Sequence, residues 1–488
     1  MRTCRQTALL VGALFLFQIV SMTGVSALAN ISGSKKKLSV AVIGGGISGL
    51  SCAQHLKEGG NFDPVVFDTG RLRPGGRCSS RLPGDLPKDQ EATASRNTIL
   101  GAQVIDHAAQ ILTATMSKPF VDQVRKWEED GVLARFPAGS VMEVGPRPKK
   151  GVPVSKFLTK GLNADARDPV MYFGAEGMGS IAGAIANNAG LQIEQDVWVS
   201  PSNGVKYVGG KDGGKPRWRI KAKGQVLGEF DRLVIAHNGK CADRLMSKTP
   251  AKKLHSLLRT NFASSVPAHG GDRMTLNSIY SLVFAVDKNS PLSRAIPEDM
   301  ITAFIKNEPK LRLISSNTRK FRKRGSSSTT EIFTVLSSPQ FAKKNKAPQE
   351  NIPTEVAGEV TSQLLQAVEV AFCLEKGSLS GDNCIRESKL QLWGAAVPLN
   401  TWSDTPGFVF DDDFGVGACG DWLLDPSMEG AWESGRRLAN WMNQAEVGGK
   451  KSSSVGLPPF GKFKRSAASM DSGIGSFGSS PTSVPAVK

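Results

Sequence analysis

The chain of 488 residues has room for two or three ordinary domains or one large composite one. With 40% hydrophobic and 22% charged residues it has the balance of a globular protein, which excludes a fibrous or wholly disordered chain. Its formal charge of +17 does not mark a nucleic-acid binder: the basic residues gather towards the two ends and in RKFRKR (Arg319–Arg324), they form no aromatic-interleaved binding face, no nucleic-acid motif accompanies them, and that run is expected to be a solvated loop.

Residues 1–29 carry the three parts of a secretory signal peptide. MRTCRQ holds two arginines, TALLVGALFLFQIV is an apolar run of 14, and small residues end in Ala27-x-Ala29. The run is shorter than the ~20 residues of a spanning helix, so no stable membrane span is expected after cleavage. Entry into the secretory pathway is the expectation. A retained signal anchor and onward import into an organelle stay open.

Next, KLSVAVIGGG reads as a strand and turn, ISGLSCAQHLKEGG as a helix ended by glycines, and PVVFDTG as a second strand. In IGGGISG, Gly44 lets the chain turn sharply, Gly46 leaves room for a pyrophosphate, and Gly49 lets the helix pack closely on the strand. The helix N-terminus offers amide N–H groups to phosphates. Asp68, closing PVVFD, is placed to accept hydrogen bonds from ribose hydroxyls. RPGGRC follows, and Gly76-Arg77 there can return a guanidinium to the same pyrophosphate.

Further on, FGAEGMGSIAGAIANNAG reads as a turn and an Ala-rich helix, and LQIEQDVWVS, KPRWRIKA and FDRLVIAHNG read as strands. His237, in the last of these, is expected at a strand end near the nucleotide. The middle of the chain mixes strands (YSLVFAVD, EIFTVLSS) with the helix TEVAGEVTSQLLQAVEVAF. GVGACGDW and MEGAWESGRRLANWMNQ then return to a strand, a turn and a helix. From Glu446 the chain is rich in Ser, Gly and Pro and is expected to be disordered. This order predicts a nucleotide-binding domain assembled from separated segments, with a second domain inserted.

Once the signal takes Cys4, six cysteines remain, with no CxxC and no Cys/His cluster at ligand spacing, so no metal site is expected. Cys373 and Cys384 flank LEKGSLSGDN and either bridge or stay separate thiols.

Four separated phrases carry a family resemblance: VIGGGISGL with FDTGRLRPGGR, IDHAAQILT, YFGAEGMGSIAGAIA, and LWGAAVP followed by GACGDWLLDPSMEGAWESGRRLA. In this order they resemble the flavin amine oxidase superfamily, and within it the renalase-like flavoproteins, from about Leu38 to Gln444. The resemblance implies an α/β fold: a Rossmann-like FAD-binding domain in segments 38–115, 171–240 and 391–445, and an inserted α+β substrate domain with a mainly antiparallel sheet in 116–170 and 241–390. The tail is 446–488. It implies that Gly44, Gly46, Gly49, Asp68, Gly76 and Arg77 hold the ADP half of non-covalently bound FAD. It implies too that the Val197 backbone meets the adenine, that Gly420 and Asp421 lie at the pyrophosphate–ribityl end, and that Met428 opens a helix facing the flavin N1/O2 edge, where a helix N-terminus stabilises negative charge.

Renalase-like enzymes, by the same resemblance, oxidise mis-reduced dihydronicotinamide nucleotides and pass the electrons to O₂. Oxidising a dihydropyridine yields an aromatic cation directly, so such a pocket needs no strong general base. The sequence offers no acid/base constellation, and its three tyrosines argue against a paired-tyrosine amine cage. His107 and Gln110 in DHAAQ are the substrate-side candidates, and Trp393 or Trp422 can wall the pocket. The chain departs from the family pattern at Ala108, Ile111 and Cys78, where glycine, an aromatic and methionine are usual, so substrate identity stays open. An amine oxidase or desaturase of the same superfamily, or a non-catalytic flavin-binding protein, are the alternatives.

Overall fold

The structure, a computed structural model, describes residues 36–85, 98–145, 158–159, 162–165, 168–209, 217–322, 329–380, 384–447, 453–466 and 476–477. The expected signal peptide lies outside the described residues. Strand β1 (Leu38–Ile43), helix α1 (Ile47–Glu58) and strand β2 (Phe62–Phe67) form as their patterns predict. Val40, Ala41 and Val42 are completely buried, because β1 lies in the middle of a parallel sheet covered on both faces.

That sheet has six strands. From one edge they are Gln192–Glu194, β2, β1, Arg232–Ile235, Val416–Ala418 and Val409–Asp411. All neighbours run parallel except the last pair. Residues more than 370 positions apart are thereby joined into one domain, since β1 lies two strands from Val416–Ala418. The C-terminal helix Met428–Val447 packs along α1. A Cβ on Gly435 would stand 2.2 Å from the Ser48 carbonyl oxygen, so the close crossing requires glycine.

A second, seven-stranded sheet runs Ile385–Trp393, Ile279–Asp287, Thr330–Ser337, Leu311–Ser316, Thr302–Ile305, Val141–Val144 and Leu158–Thr159. It is antiparallel apart from the Thr302–Ile305/Val141–Val144 pair. The helix Thr354–Ala371 covers one face, with Val360, Leu364 and Val368 in one core with Phe284, Phe333 and Ile314.

Three expectations are corrected. Residues 241–276 do not belong to the inserted sheet: Leu245, Leu254, Leu257 and Leu276 share a core with Ala41, Ile43, Leu233 and Ile235 of the parallel sheet. The tail is not disordered throughout. Lys462–Arg465 pairs antiparallel with Asn400–Ser403, Phe463 is buried 5.0 Å from the Trp402 ring, and Trp402 Nε1 donates to the Gly456 carbonyl at 2.7 Å. Leu457 is buried as well, and two apolar anchors are enough to hold a strap whose composition otherwise looks unstructured. The backbone of Ser476–Phe477 pairs with Ile111–Leu112. Finally, RKFRKR does not begin as a solvated loop: Arg319 and Lys320 end the short helix Asn317–Lys320, Arg319 is paired with Glu331, and the Lys320 side chain is 0% exposed.

All six described cysteines are free thiols, Cys373 and Cys384 among them. No helix among the described residues is long and apolar enough to cross a membrane.

Candidate functional site

A cleft of about 740 Å³ opens at the C-terminal ends of β1 and Arg232–Ile235. The chain leaves β1 for β2 on one side, while Arg232–Ile235 lies on the other; this reversal of strand order is where open α/β sheets bind ligands.

The glycine loop shows a division of labour. Gly44 sits at φ +114°, a conformation that favours glycine, with the Ala236 carbonyl oxygen 3.0 Å from where a Cβ would be. A Cβ on Gly49 would stand 2.0 Å from the Gly44 carbonyl oxygen, so this glycine lets α1 start directly under the turn and does not line the cleft. A Cβ on Gly46 would meet nothing within 4 Å, because Gly46 faces the open cleft. The first turn of α1 has no side-chain cap and no acidic residue, so its N–H groups and positive dipole end face an electrostatically open cradle.

Asp68 closes β2 with its carboxylate held by backbone donors, Gly45 N at 3.0 Å and Gly70 N at 3.2 Å. Burial raises its pKa, and those donors offset part of the effect. Val197 N donates to the Asp68 carbonyl at 2.9 Å, tying DVWV to the end of β2 beside the cleft. Gly75 N donates to the Gly45 carbonyl at 2.8 Å, so the second glycine pair rests on the first. The Arg77 guanidinium beside it lies 2.7 Å from Asp421 Oδ2 and donates to the Ala396 carbonyl at 2.7 Å. Gly420 N donates to Ser434 Oγ at 3.0 Å, and the buried Met428 opens the C-terminal helix at the cleft wall.

Gly44, Gly46, Asp68, Gly76, Arg77, Val197, Gly420, Asp421 and Met428 therefore line one cleft. His237, expected only at a strand end, lines it too, with Nδ1 3.1 Å from the Ile43 carbonyl oxygen. Sequence reasoning missed the loop Lys346–Glu350, whose Gln349 Oε1 accepts from Gly394 N at 3.0 Å across the cleft. Nothing in that stretch of mixed polar residues signals a site.

The structure does not bring His107 and Gln110 into the lining. Gln110 is a structural residue: it is 0% exposed, its amide N–H donates to the Asp106 carbonyl at 2.7 Å, and its Oε1 accepts from Lys320 Nζ at 2.7 Å. His107 is one layer back, stacked on Trp393 with ring centres 5.8 Å apart, and Trp393 is the wall.

Burial pushes the His107 pKa down to about 3, and the nearby Arg81 charge adds to this. In the unfolded chain the group titrates near its ordinary value of about 6.5. Between these values the unfolded state binds a proton that the folded state does not. Stability is thus lost as pH falls from about 6.5 towards 3, at a limiting slope of about 1.4 kcal/mol per pH unit. His107→Gln is expected to remove this contribution, which melting curves between pH 4 and pH 7 of both proteins will check.

Residues 42–124 match the NAD(P)-binding Rossmann-like domain family. Over 84% of this chain and 99% of the other, the fold is similar to a protein from Exiguobacterium sp. 255-15 assigned as a protoporphyrinogen oxidase, with a TM-score of 0.51 and 10% identity. A putrescine oxidase variant aligns over 85% of this chain and all of its own, with a TM-score of 0.49 and 13% identity. The chain is thus a mixed α/β protein with a Rossmann-like dinucleotide-binding domain.

Proposed function

We propose that this protein is an FAD-dependent oxidoreductase, and within that class a renalase-like oxidase of mis-reduced dihydronicotinamide nucleotides that uses O₂ as the final acceptor. The observation that carries the reading is the convergence on one cleft of nine residues drawn from five separated stretches of the chain. They fit a flavin dinucleotide. Gly46 leaves open space where a pyrophosphate would lie, the uncapped α1 amides and Arg77 supply donors for its oxygens, and Asp68 accepts from ribose hydroxyls. Gly420 and Asp421 continue the cradle, and the Met428 helix N-terminus stabilises negative charge at the far end. Bound non-covalently there, FAD would supply two-electron acceptance from a carbon–hydrogen bond.

The substrate reading is supported by what the chain places behind the pocket wall. The His107 imidazole is held neutral, is a weak base, and is screened by Trp393. A dihydropyridine gives up its hydride without losing a proton, so it needs no stronger base than this; an ammonium substrate does. Secretory entry through residues 1–29 belongs to the same proposal.

Anaerobic mixing of the chain from Asn30 onward with mis-reduced nicotinamide isomers, followed at about 450 nm where oxidised flavin absorbs, tests it. Rapid bleaching with the isomers and not with ordinary NADH is expected. A bound flavin that stays yellow overturns the substrate reading, and a preparation that takes up no flavin overturns the cofactor.

A further inference from the structure

All eight tryptophans lie among the described residues, and Trp198 alone of them is exposed, over 47% of its surface. It lines the cleft. Its neighbours in DVWV behave differently: Val199 is buried and Val197 half-buried, both packed in one core with Phe67 and Trp218. The two valines take the core, and the indole between them is left at the cleft, open to whatever enters it.

A single exposed apolar side chain is ordinary. What distinguishes this one is its place along the sheet. β1 ends at the glycine loop, where phosphates can approach the backbone. The next strand outward, β2, ends at Asp68, the acceptor for ribose hydroxyls. The strand beyond it, Gln192–Glu194, runs directly into DVWV. Passing outward along the carboxyl ends of these strands, the cleft therefore presents a phosphate site, a ribose site and then Trp198, which is the order of phosphate, ribose and base in a nucleotide. The stretch is also held firmly against the ribose end. Asp196 N donates to the Gly70 carbonyl at 3.1 Å, Val197 N to the Asp68 carbonyl at 2.9 Å, and Val199 bridges to Ala222 on the other side of the tryptophan.

We infer that the Trp198 side chain is a binding residue for the adenine of the dinucleotide, its indole giving the flat base an apolar π surface to stack on. The inference rests on the FAD reading of the cleft. It adds to the Val197 backbone a side chain that responds to the flatness of a base, since every base has a π-face. When the two rings meet, both lose contact with water, and the indole gains the cover that its own chain does not give it. The nicotinamide ring of the proposed substrate is not the occupant, because it must reach the flavin at the Met428 end of the cleft.

The test is the affinity of the flavin-free full chain for FAD, ADP and pyrophosphate, measured by calorimetry, together with its melting temperature. Two replacements are compared with the wild type: Trp198→Leu, which keeps an apolar side chain without a π-face, and Trp198→Phe, which keeps a smaller flat ring. Trp198→Leu is expected to weaken ADP and FAD binding about tenfold, the size of one stacked base, and Trp198→Phe by less than about threefold. Both variants are expected to bind pyrophosphate as wild type does. Both are expected to melt within about 2 °C of wild type in the flavin-free state, because an exposed side chain adds little to stability. ADP affinity of Trp198→Leu within about twofold of wild type overturns the inference and leaves the FAD reading standing. A loss for pyrophosphate as large as that for ADP also overturns it, since the damage would then lie in the cleft and not in a contact with the base. A wild-type chain that binds ADP but not FAD overturns the cofactor alone, and one that binds neither overturns both.

Discussion

Lys320→Met is expected to destabilise the protein by about 3–5 kcal/mol, the range for breaking a buried pair by removing one partner. The ammonium group of Lys320 and the carboxylate of Asp106 are both shielded completely from water, 3.2 Å apart. Burial alone pushes the Lys320 pKa down, while the Asp106 charge and hydrogen bond hold it up. Gln110 supplies a second acceptor, and Asp106 Oδ1 also accepts from Ser80 Oγ at 2.6 Å and Met178 N at 2.8 Å. The Asp106 backbone is held as well, its N–H donating to Asn317 Oδ1 at 3.0 Å and its carbonyl accepting from Thr334 Oγ1 at 2.7 Å. The knot thus ties the elements of the Rossmann-like half that carry Ser80 and Met178 to the seven-stranded sheet. Methionine fills the volume of lysine but leaves the carboxylate unpaired. The double replacement Lys320→Met with Asp106→Asn removes both charges and is expected to cost less than Lys320→Met alone. Urea denaturation of Lys320→Met, Asp106→Asn, the double variant and wild type forms the cycle that checks this, and additive losses would show that the pair is not coupled.

The second prediction separates two glycines of one motif. Gly46→Ala is expected to leave the flavin-free protein as stable as wild type, within about 0.5 kcal/mol, because the new methyl meets no protein atom within 4 Å and the residue has ordinary extended angles, φ −75° and ψ 176°. The methyl instead enters the cleft, and dinucleotide affinity is expected to fall by about 2 kcal/mol, roughly thirtyfold. Gly49→Ala does the reverse. Its methyl would lie 2.0 Å from the Gly44 carbonyl oxygen and 3.0 Å from Ala236 Cβ, so α1 must shift off the sheet, at a cost of about 3 kcal/mol. Melting curves of both flavin-free variants, with FAD titrations, decide the matter. An early-melting Gly46→Ala beside a wild-type-like Gly49→Ala would mean that the loop does not have the geometry described.

Much of the nucleotide half was legible because its signals are local. The apolar run of β1, the spacing Gly44, Gly46, Gly49 and the carboxylate at the end of β2 depend on steric and hydrogen-bonding rules that act over a few residues. Gly420, Asp421 and Met428 were reached only through family resemblance, since a turn followed by a helix has many uses. The long apolar strand Ile279–Asp287 and the helix Thr354–Ala371 declared themselves by periodicity.

Other features had no local signal. RKFRKR reads as a solvated run in any window of sequence, and Lys320 is buried only because its partner Gln110, 210 residues away, is brought to it by the fold. The same contact turned Gln110 from a substrate candidate into a structural residue. His107 kept its place near the site but behind Trp393, a position set by the meeting of two segments 286 residues apart. The strap at 453–466 became ordered because Trp402 offers Phe463 a surface and Gly456 an indole donor. By itself the sequence determined which segments become strand, turn and helix, and where phosphate can approach the backbone, because those follow from short-range sterics. Which charges are buried, which polar atoms find partners and which side chains face the cleft were decided by tertiary structure alone, because desolvation and pairing depend on what the rest of the chain brings within a few ångströms.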